Sequence, residues 1–371
     1  MCCWRSTEIR RAQCTFPNVF TGNSIKMTAA LLLPVLKSQP KSVNLSHKGL
    51  KKVPKAIGQL RNVLHLELQG NKIKTLPAEF GYLVQLEYLN VGKNELEELP
   101  EALAECTGLI KLHVFANHLR TLKPNVLVNF KLMTHLNLNN NQLVTLPAEM
   151  RWLVNLQYLS MDHNYLEELP CDLCGLRNLT ELHVAYNRLN SLPLEFGYLF
   201  NLQVLYLQKN RLKELPESLG KCYNLRMLDI SANELRIFPT EFNSLPLKEL
   251  YCEENPLLQH VPIHSVQEEE VLSLKEVAAR FVMKERKDRW SLIRKNIEHY
   301  PAISEMLSQS SKCALCSESF LNTWLECVQF LEPCKTIRTN KAADVIPVRA
   351  LLCSYKCFNA PGHRFYGVAF P

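Results

Sequence analysis

The 371-residue chain has few glycines, only 12, and no apolar run of the roughly 18 residues that a membrane span needs. With 47% hydrophobic residues, this composition indicates a folded protein and excludes a glycine-rich linker-like chain. The first residues, MCCWRSTEIRR, lack the apolar core of a signal peptide. The 14 cysteines do not form pairs around the ends of the regular part of the chain. We therefore predict a reducing, cytoplasmic location and no membrane contact.

Motifs for catalysis and for nucleic-acid binding are also missing from the sequence. The net charge of +7 is mild, and no basic stripe with interleaved aromatic residues appears, so no nucleic-acid partner is predicted. There is no glycine-rich phosphate loop, no nucleophile constellation and no acid/base pair at a predicted pocket. The sequence therefore predicts that the protein is not an enzyme.

A leucine pattern fills most of the chain and is clearest in Leu202–Pro216, LQVLYLQKNRLKELP. Leucines occupy Leu202, Leu205, Leu207 and Leu212, giving the pattern L-x-x-L-x-L-x-x-N-x-L. Its asparagine recurs at Asn71, Asn94, Asn117, Asn141, Asn164, Asn187, Asn210, Asn233 and Asn255. The steps are 23 residues, except one of 24 and one of 22, so the pattern indicates a repeat architecture.

Each repeat predicts a short strand, a turn and a return segment. Leu205 and Leu207 point inward from the strand, and the amide of Asn210 can bond the backbone of the neighbouring turn. Leu215-Pro216 begins the return on the outer face. One unit cannot bury its own leucines, so the repeats must stack. The fold class predicted is α/β, a leucine-rich repeat solenoid with a curved parallel β-sheet on its concave face, followed by a small helical and cysteine-rich carboxy-terminal unit.

The pattern also predicts the domain organisation. Residues 1–26 form a disordered extension, and residues 27–54 form an amino-terminal cap with a degenerate first repeat. The nine repeats run over residues 55–262, a helical linker or cap covers 263–310, and a cysteine-rich domain follows over 311–371.

The side chains between the inward leucines face solvent on the concave sheet. Large rings and histidines are concentrated there, and rings of this kind are frequent anchors in protein interfaces. The alternative is that such rings only suit exposed strand positions. The residues predicted to bind a protein partner are Tyr88, His113, Phe115, His135, Tyr158, His183, Tyr206 and Tyr251.

Two cysteine pairs in the carboxy-terminal region have metal-ligand spacing. Cys313 and Cys316 form a CxxC pair, and Cys353 and Cys357 form a CxxxC pair. Four thiolates are a common ligand set for tetrahedral structural zinc. With every position filled by cysteine, such a zinc would hold the fold and would not catalyse; the alternative is four buried free cysteines. We therefore predict one structural zinc and no other cofactor.

Between the repeats and the cysteines lies a predicted amphipathic helix. Its apolar stripe comprises Val271, Leu274, Val277, Ala278, Phe281 and Val282. Leu274, Ala278 and Val282, after Ser273, are similar to the box by which substrate receptors of cullin-RING ubiquitin ligases dock on elongin C, except that Ala278 stands where cysteine is usual. The alternative is a helix that only covers the exposed edge of the last repeat.

The repeats resemble the 23-residue intracellular class of leucine-rich repeats found in signalling scaffolds. In the carboxy-terminal third, RFVMKE, IEHYP, CALC, WLECVQF and LCSYKCF resemble an intracellular leucine-rich repeat family with a cysteine-paired tail. This resemblance implies a cytoplasmic scaffold or adaptor that binds protein in signal transduction. The alternatives left open are a ubiquitin-ligase substrate receptor that recruits elongin C and, more remotely, an enzyme supported by zinc.

Overall fold

The repeat region folds as ten parallel strands in one continuous sheet. The computed structural model describes residues 33–258, 272–322, 324–332, 338–339 and 345–367. The repeat strands are β1 (Ser42–Asn44), β2 (His65–Glu67), β3 (Tyr88–Asn90), β4 (Lys111–His113), β5 (His135–Asn137), β6 (Tyr158–Ser160), β7 (Glu181–His183), β8 (Val204–Tyr206), β9 (Met227–Asp229) and β10 (Glu249–Tyr251). Each pairs with the next in sequence order, so the predicted solenoid is confirmed.

The strands have three residues because only one leucine per strand must point inward. Leu205, at the centre of β8, is fully buried, and so is Leu207 just after it. The strand residues on either side of Leu205 are only half-buried and face the concave surface. The leucines of all repeats merge into one core cluster, which is the stacking that the repeats need for stability.

The return segments on the outer face are mostly short 3₁₀ helices, and all of these but Phe242–Ser244 begin directly after the proline of their repeat. Proline lacks an N–H group and fixes its own φ, so it is well suited to this starting position. The 3₁₀ helices span Lys55–Gln59, Ala78–Tyr82, Glu101–Glu105, Ala148–Trp152, Cys171–Gly175, Leu194–Tyr198, Glu217–Lys221 and Phe242–Ser244. The repeat with Lys123 inserted before Pro124 differs, because it contains the α-helix α2 (Pro124–Leu127). An amino-terminal helix, α1, covers residues 33–38.

A ladder of asparagines, all buried except the half-buried Asn255, joins neighbouring turns, as the sequence predicts. The Asn187 side-chain N–H group donates to the carbonyl oxygens of Met161, Val184 and Ala185 at 3.0–3.1 Å. Its Oδ1 accepts from the Leu166 N–H group at 3.0 Å. The same pattern recurs from Asn71 to Asn255, so each rung satisfies backbone groups that the short strands leave unpaired.

A second asparagine ladder lies on the outer side and was not predicted. The Asn178 amide donates to the Val154 carbonyl oxygen of the preceding repeat at 2.8 Å. Equivalent bonds at 2.7–2.8 Å are made by Asn155, Asn201 and Asn224. The signal was present as an asparagine directly before the first leucine of each of these repeats.

The carboxy-terminal unit begins with three helices, α3 (Leu274–Glu285), α4 (Leu292–Asn296) and α5 (Pro301–Ser308), with a 3₁₀ turn at Ile297–His299. Its strands are β11 (Ser311–Lys312), β12 (Ser319–Phe320), β13 (Leu325–Leu331), β14 (Arg338–Thr339), β15 (Ile346–Leu352) and β16 (Phe365–Gly367), with helix α6 (Tyr355–Phe358) between the last two. Strands β15, β13 and β16 form an antiparallel sheet, whereas β14 extends the repeat sheet beyond β10.

Strand β15 closes the carboxy-terminal end of the repeat core. Ile346 and Val348 belong to the same core cluster as the repeat leucines. Helix α3 does not contribute to this core. It buries Ala279 and Met283 in a separate cluster with Ile297, Leu307 and Leu321. The end of the repeat core is therefore covered by strand β15, whereas the sequence had suggested the amphipathic helix as its cover.

Several predicted segments lie outside the described residues. They are the extension over 1–26, the start of the cap up to residue 32, and residues 259–271, which include Val261-Pro262 and Val271. Among the described residues, no helix combines the length and the apolar character that a membrane crossing requires.

Candidate binding face and cysteine cluster

The concave sheet brings the predicted binding residues into rows that cross the strands. The first row contains Tyr88, His135 and Tyr158, because the in-register pairing places the first residue of each strand side by side. The second row contains His113, His183, Tyr206 and Tyr251, each at the third position of its strand. The rows therefore form one continuous surface.

Within this surface, rings from four successive strands contact one another. We call His135, Tyr158, His183 and Tyr206 the ring ladder. Its centroid distances are 5.9 Å for His135–Tyr158, 5.1 Å for Tyr158–His183 and 4.5 Å for His183–Tyr206. A second group joins His65, Tyr88 and His113 at 6.1 and 5.4 Å, so His65 extends the predicted set. Ring pairs at these distances add stability beyond the apolar area that they bury.

Phe115 lies beside the second ring group, next to Gly92. A Cβ atom at Gly92 would lie 2.4 Å from the Phe115 ring, so only glycine leaves room for the ring there. Tyr251 lies on β10 at the carboxy-terminal end of the same row. The structure thus places all eight predicted residues on the concave side, and their role in binding stays a prediction.

Carboxylates surround the centre of the ring ladder. Asp162 Oδ2 lies 3.8 Å from His183 Nδ1, and Glu181 Oε2 lies 3.7 Å from His183 Nε2. Burial raises the pKa of Asp162, although a hydrogen bond from the Ala185 N–H group and the nearby His183 act in the opposite direction. His183 Nε2 is buried and has no hydrogen-bond partner among the described residues.

The other two predicted histidines are held towards their neutral form. Burial lowers the pKa of His113, and the charges of His135 and Lys111 lower it further. Burial also lowers the pKa of His135, with a smaller contribution from Lys111. These rings therefore present neutral, amphipathic surfaces at neutral pH.

The four predicted metal-ligating cysteines come together in the carboxy-terminal unit. The sulfur atoms of Cys313, Cys316, Cys353 and Cys357 all lie within 4.8 Å of one another. Cys316 and Cys353 are 3.5 Å apart and Cys353 and Cys357 are 3.7 Å apart, too far for a disulfide bond of about 2.05 Å. Four ligands at about 2.3 Å from a tetrahedral zinc ion would have their sulfurs about 3.8 Å apart. The cluster could therefore hold a metal ion.

Local structure explains how each pair is positioned. Cys313 follows β11, and its N–H group donates to the Glu318 carbonyl oxygen at 2.9 Å, closing the turn before β12. Cys353 follows β15, and the Ser354 side chain caps α6, which contains Cys357. Burial opposes ionisation of Cys313, but N–H groups of Cys316, Cys353 and Leu315 outweigh it and lower its pKa to about 7. Burial raises the pKa of Cys353 and Cys357, and the hydrogen bond of each with Cys316 raises it further.

Helix α3 turns its apolar stripe outward. Leu274 is 88% exposed, and Val277, Ala278 and Phe281 are also exposed, whereas Val282 is half-buried. Two of the three residues of the elongin-type box, Leu274 and Ala278, are thus accessible, and the third packs against the helix cluster.

Comparison with known proteins agrees with this geometry. Residues 41–96, 107–166, 177–235 and 200–257 match the family model of the leucine rich repeat. These segments cover more than half of the chain. The chain belongs to the leucine-rich repeat family. Its repeats account for the concave face, whereas the cysteine cluster lies beyond the matched residues.

The chain is similar to relatives named Leucine-rich repeat-containing protein 69. It is 44% identical to the Xenopus laevis protein over 132 residues. These aligned residues make up 36% of this chain and 38% of that relative. It is 41% identical over 133 residues to the Mus musculus protein, with the same coverage of both. The match thus spans less than two fifths of either relative.

Solved leucine-rich repeat structures have the same solenoid. The ectodomain of the plant receptor kinase GASSHO1/SCHENGEN3 from Arabidopsis thaliana, in complex with CASPARIAN STRIP INTEGRITY FACTOR 2, is 31% identical with a TM-score of 0.53. That match covers 58% of this chain and 27% of the receptor chain. The plant peptide hormone receptor RGFR1 in complex with RGF2 is 29% identical with a TM-score of 0.51, covering 56% of this chain and 34% of that one.

Two polar features of this leucine-rich repeat protein were not among the predicted site residues. His163 and Tyr186 stack at 4.1 Å on the turns that follow the strands, and Lys209 lies 5.0 Å from the Tyr186 ring. These residues occupy the position before each repeat asparagine, so the repeat register could have identified them as a further row.

The second feature is a fully buried carboxylate. Glu276 of α3 accepts hydrogen bonds from Arg280 Nε at 2.6 Å, from the Leu321 N–H group at 3.0 Å and from the Asn322 N–H group at 2.6 Å. Burial acts to raise the pKa of Glu276, but these three donors outweigh it and lower the pKa below its ordinary value. No sequence signal marked this glutamate, because it looks like any polar residue on a helix.

Proposed function

We propose that the chain is a non-enzymatic scaffold or adaptor that holds a protein partner on its concave face. The observation that carries this proposal is the ring ladder, in which stacked and tilted rings contact one another across four neighbouring strands of the sheet. A preformed sheet loses little conformational freedom on binding, so most of the contact energy is retained as affinity.

Three further observations support the proposal. The concave rows present amphipathic rings, which are enriched among residues that dominate interface energies. His183 lies 3.7–3.8 Å from the carboxylates of Glu181 and Asp162, so a partner would meet charged groups beside the rings at the centre of the ladder. The two plant receptors described above were solved in complex with partners, and those receptors share the solenoid. An adaptor role in cytoplasmic signalling is the setting that we propose.

Replacing both His183 and Tyr206 by alanine is expected to weaken partner binding at least tenfold, because two contacting anchors are lost. The free energy of unfolding should fall by about 1–3 kcal/mol, because the Tyr158–His183 and His183–Tyr206 ring contacts are lost while the leucine core stays intact. Partners are first captured from a cell extract on the intact chain and identified by mass spectrometry. The affinity of a purified partner is then measured for each variant by calorimetry.

The matched control is Tyr223→Ala, which removes an exposed ring outside the concave rows. It should leave the affinity unchanged. Equal affinities for the intact chain and the double variant would contradict the assignment of the concave face.

We further propose that the cysteine cluster binds one structural zinc ion. Its four sulfurs all lie within 4.8 Å of one another, which fits a tetrahedral ligand set. All four positions are taken by protein, so the ion would stabilise the fold. A reducing cytoplasm, which keeps such thiols unpaired, is consistent with this role.

A second candidate function is that of a ubiquitin-ligase substrate receptor recruiting elongin C. The observation that favours it is the outward apolar face of α3, with Leu274 and Phe281 in water. Anchors at these helical spacings suit a groove on a partner. In this reading the repeats hold the substrate and α3 binds the ligase.

Leu274→Ser is expected to abolish co-purification with elongin C, because the leucine is the residue that would enter the apolar pocket. The substitution should not alter the unfolding midpoint, since Leu274 is exposed. The control is Lys275→Ser, at the neighbouring exposed position of the same helix. If elongin C is absent from complexes of the intact chain, this second function is wrong and the concave-face proposal is unaffected.

A further inference from the structure

We infer that the cysteine cluster acts as a metal-dependent clamp on the end of the solenoid, so that metal binding stabilises the last repeats. The inference rests on the zinc site proposed above and adds a role for it. The role follows from where β15 runs: one end of this strand closes the repeat core and the other end leads into Cys353.

The last repeat needs such a closure. In a solenoid each repeat is stabilised by its neighbours, so a terminal repeat has one face without a partner. Here Ile346 and Val348 of β15 complete the core at that face, with exposures of 5% and 3%. Without them, apolar side chains in the return segment between β9 and β10, such as Phe238 and Phe242, would meet water.

Directional bonds fix β15 in this place. The Phe238 N–H group donates to the Pro347 carbonyl oxygen at 2.9 Å, and the Arg349 N–H group donates to the Phe238 carbonyl oxygen at 2.8 Å. The Arg349 side chain binds Glu217 of the repeats at 3.0 Å and Glu326 of β13 at 2.8 Å. Because it is only 21% exposed, Arg349 joins the two units more strongly than a fully solvated ion pair would.

The same strand is tied to the cysteines. Cys353 follows Val348 by five residues of extended chain, about 17 Å at the usual strand rise. The Ala314 N–H group, inside the CxxC turn, donates to the Leu351 carbonyl oxygen at 2.9 Å. The cluster packs with Phe320, Cys327 and Leu352 in a small core of its own. A hydrophobic core of this size contributes little stability by itself. Four metal–sulfur bonds would therefore supply much of the free energy that keeps β15 in its position against the repeats.

The metal content of the 371-residue chain is measured first, by plasma mass spectrometry after purification without added chelator. One zinc per chain is expected, and Cys316→Ser should abolish it. Cys171→Ser is the matched control, because Cys171 is an exposed thiol on the outer arc of a repeat. If the chain binds no zinc, the zinc proposal and the clamp are both wrong, while the concave-face proposal stands.

Hydrogen exchange of the full chain then tests the clamp itself. Removing zinc with a chelator should speed amide exchange at least tenfold in peptides covering β9 and β10, and should leave β2 and β3 unchanged. Restoring zinc should reverse the effect. Unchanged exchange at β9 and β10 in a chain that holds one zinc would overturn the clamp and leave the zinc site in place.

A variant at the contact separates the clamp from general destabilisation. Val348→Ser weakens the seal on the repeat core but leaves the four cysteines intact. It should retain one zinc per chain, yet exchange at β9 and β10 should be as fast as in the stripped protein and insensitive to chelator. Continued chelator sensitivity in this variant would show that the metal acts by another route, against the inference.

Discussion

Replacing Asn187 by alanine is expected to lower the free energy of unfolding by about 3 kcal/mol. The Leu166 N–H group would lose its bond to Asn187 Oδ1 and remain buried, at a cost of about 1–3 kcal/mol. The bonds from the amide to the Met161, Val184 and Ala185 carbonyl oxygens would be lost as well. The Met161 and Val184 oxygens keep a second donor, from Asn164 and Asn210, which limits the total.

The control comes from the outer asparagine ladder. Asn178 makes one bond at 2.8 Å in an exposed setting, where water can replace it, so Asn178→Ala should cost less than about 1 kcal/mol. Urea unfolding followed by far-ultraviolet circular dichroism measures both variants in the full chain. Similar losses for Asn178→Ala and Asn187→Ala would mean that burial does not set the value of the inner ladder.

The contrast between the two ladders also shows what the sequence could predict. The inner asparagine occurs at a fixed distance from leucines that must be buried, so its position in the strand–turn unit and its bonding role could be derived. The outer asparagine, as in Asn178, lies where several residue types are tolerated. Its bond depends on how closely neighbouring repeats stack, which is a property of the assembled solenoid.

The carboxy-terminal unit was harder to predict, because the apolar pattern of a helix does not show which neighbouring segments the helix packs against. The apolar stripe of α3 suggested a buried face, but Leu274 and Phe281 are exposed while Glu276 and Met283 are buried. Periodicity identifies an amphipathic helix but cannot say which face is covered when a buried polar group has its own partners. Those partners, Leu321 and Asn322, lie 45 and 46 residues away in the chain.

The four cysteines of the cluster could be predicted from the sequence, but the position of the cluster relative to the repeats could not. The spacing of Cys313, Cys316, Cys353 and Cys357 is local information, and their proximity in the structure confirms that the pairs meet. The contact of β15 with Phe238 joins segments more than one hundred residues apart, and no local signal carries it. The site could thus be recognised from its ligands, whereas its position against the solenoid could not.

Glu276→Ala is expected to destabilise the carboxy-terminal unit by about 3 kcal/mol, because buried N–H donors lose their acceptor and the partly exposed Arg280 loses one of its interactions. The Arg280 guanidinium would lose its carboxylate, and the Leu321 and Asn322 N–H groups would lose their acceptor. Glu276→Gln keeps one acceptor oxygen but loses the charge, so its loss should be smaller. The control is Lys284→Ala, an exposed position on the same helix. Urea unfolding followed by tryptophan fluorescence suits this measurement, because Trp290 and Trp324 lie in the unit.

The loss of unfolding free energy caused by Glu276→Ala should also depend on pH. The hydrogen bonds to the Glu276 carboxylate determine the direction of this dependence. The pKa of Glu276 is lowered from its ordinary value of 4.5, so the folded state favours the charged carboxylate. Its stabilising contribution is then fully present above that value and is lost as pH falls through the lowered folded pKa. The difference in unfolding free energy between the intact chain and Glu276→Ala should be constant from pH 6 to 8 and should shrink below about pH 4.5. A difference that instead grows in acid would mean that the buried carboxyl is protonated in the folded protein, and that its three donors do not hold a charge.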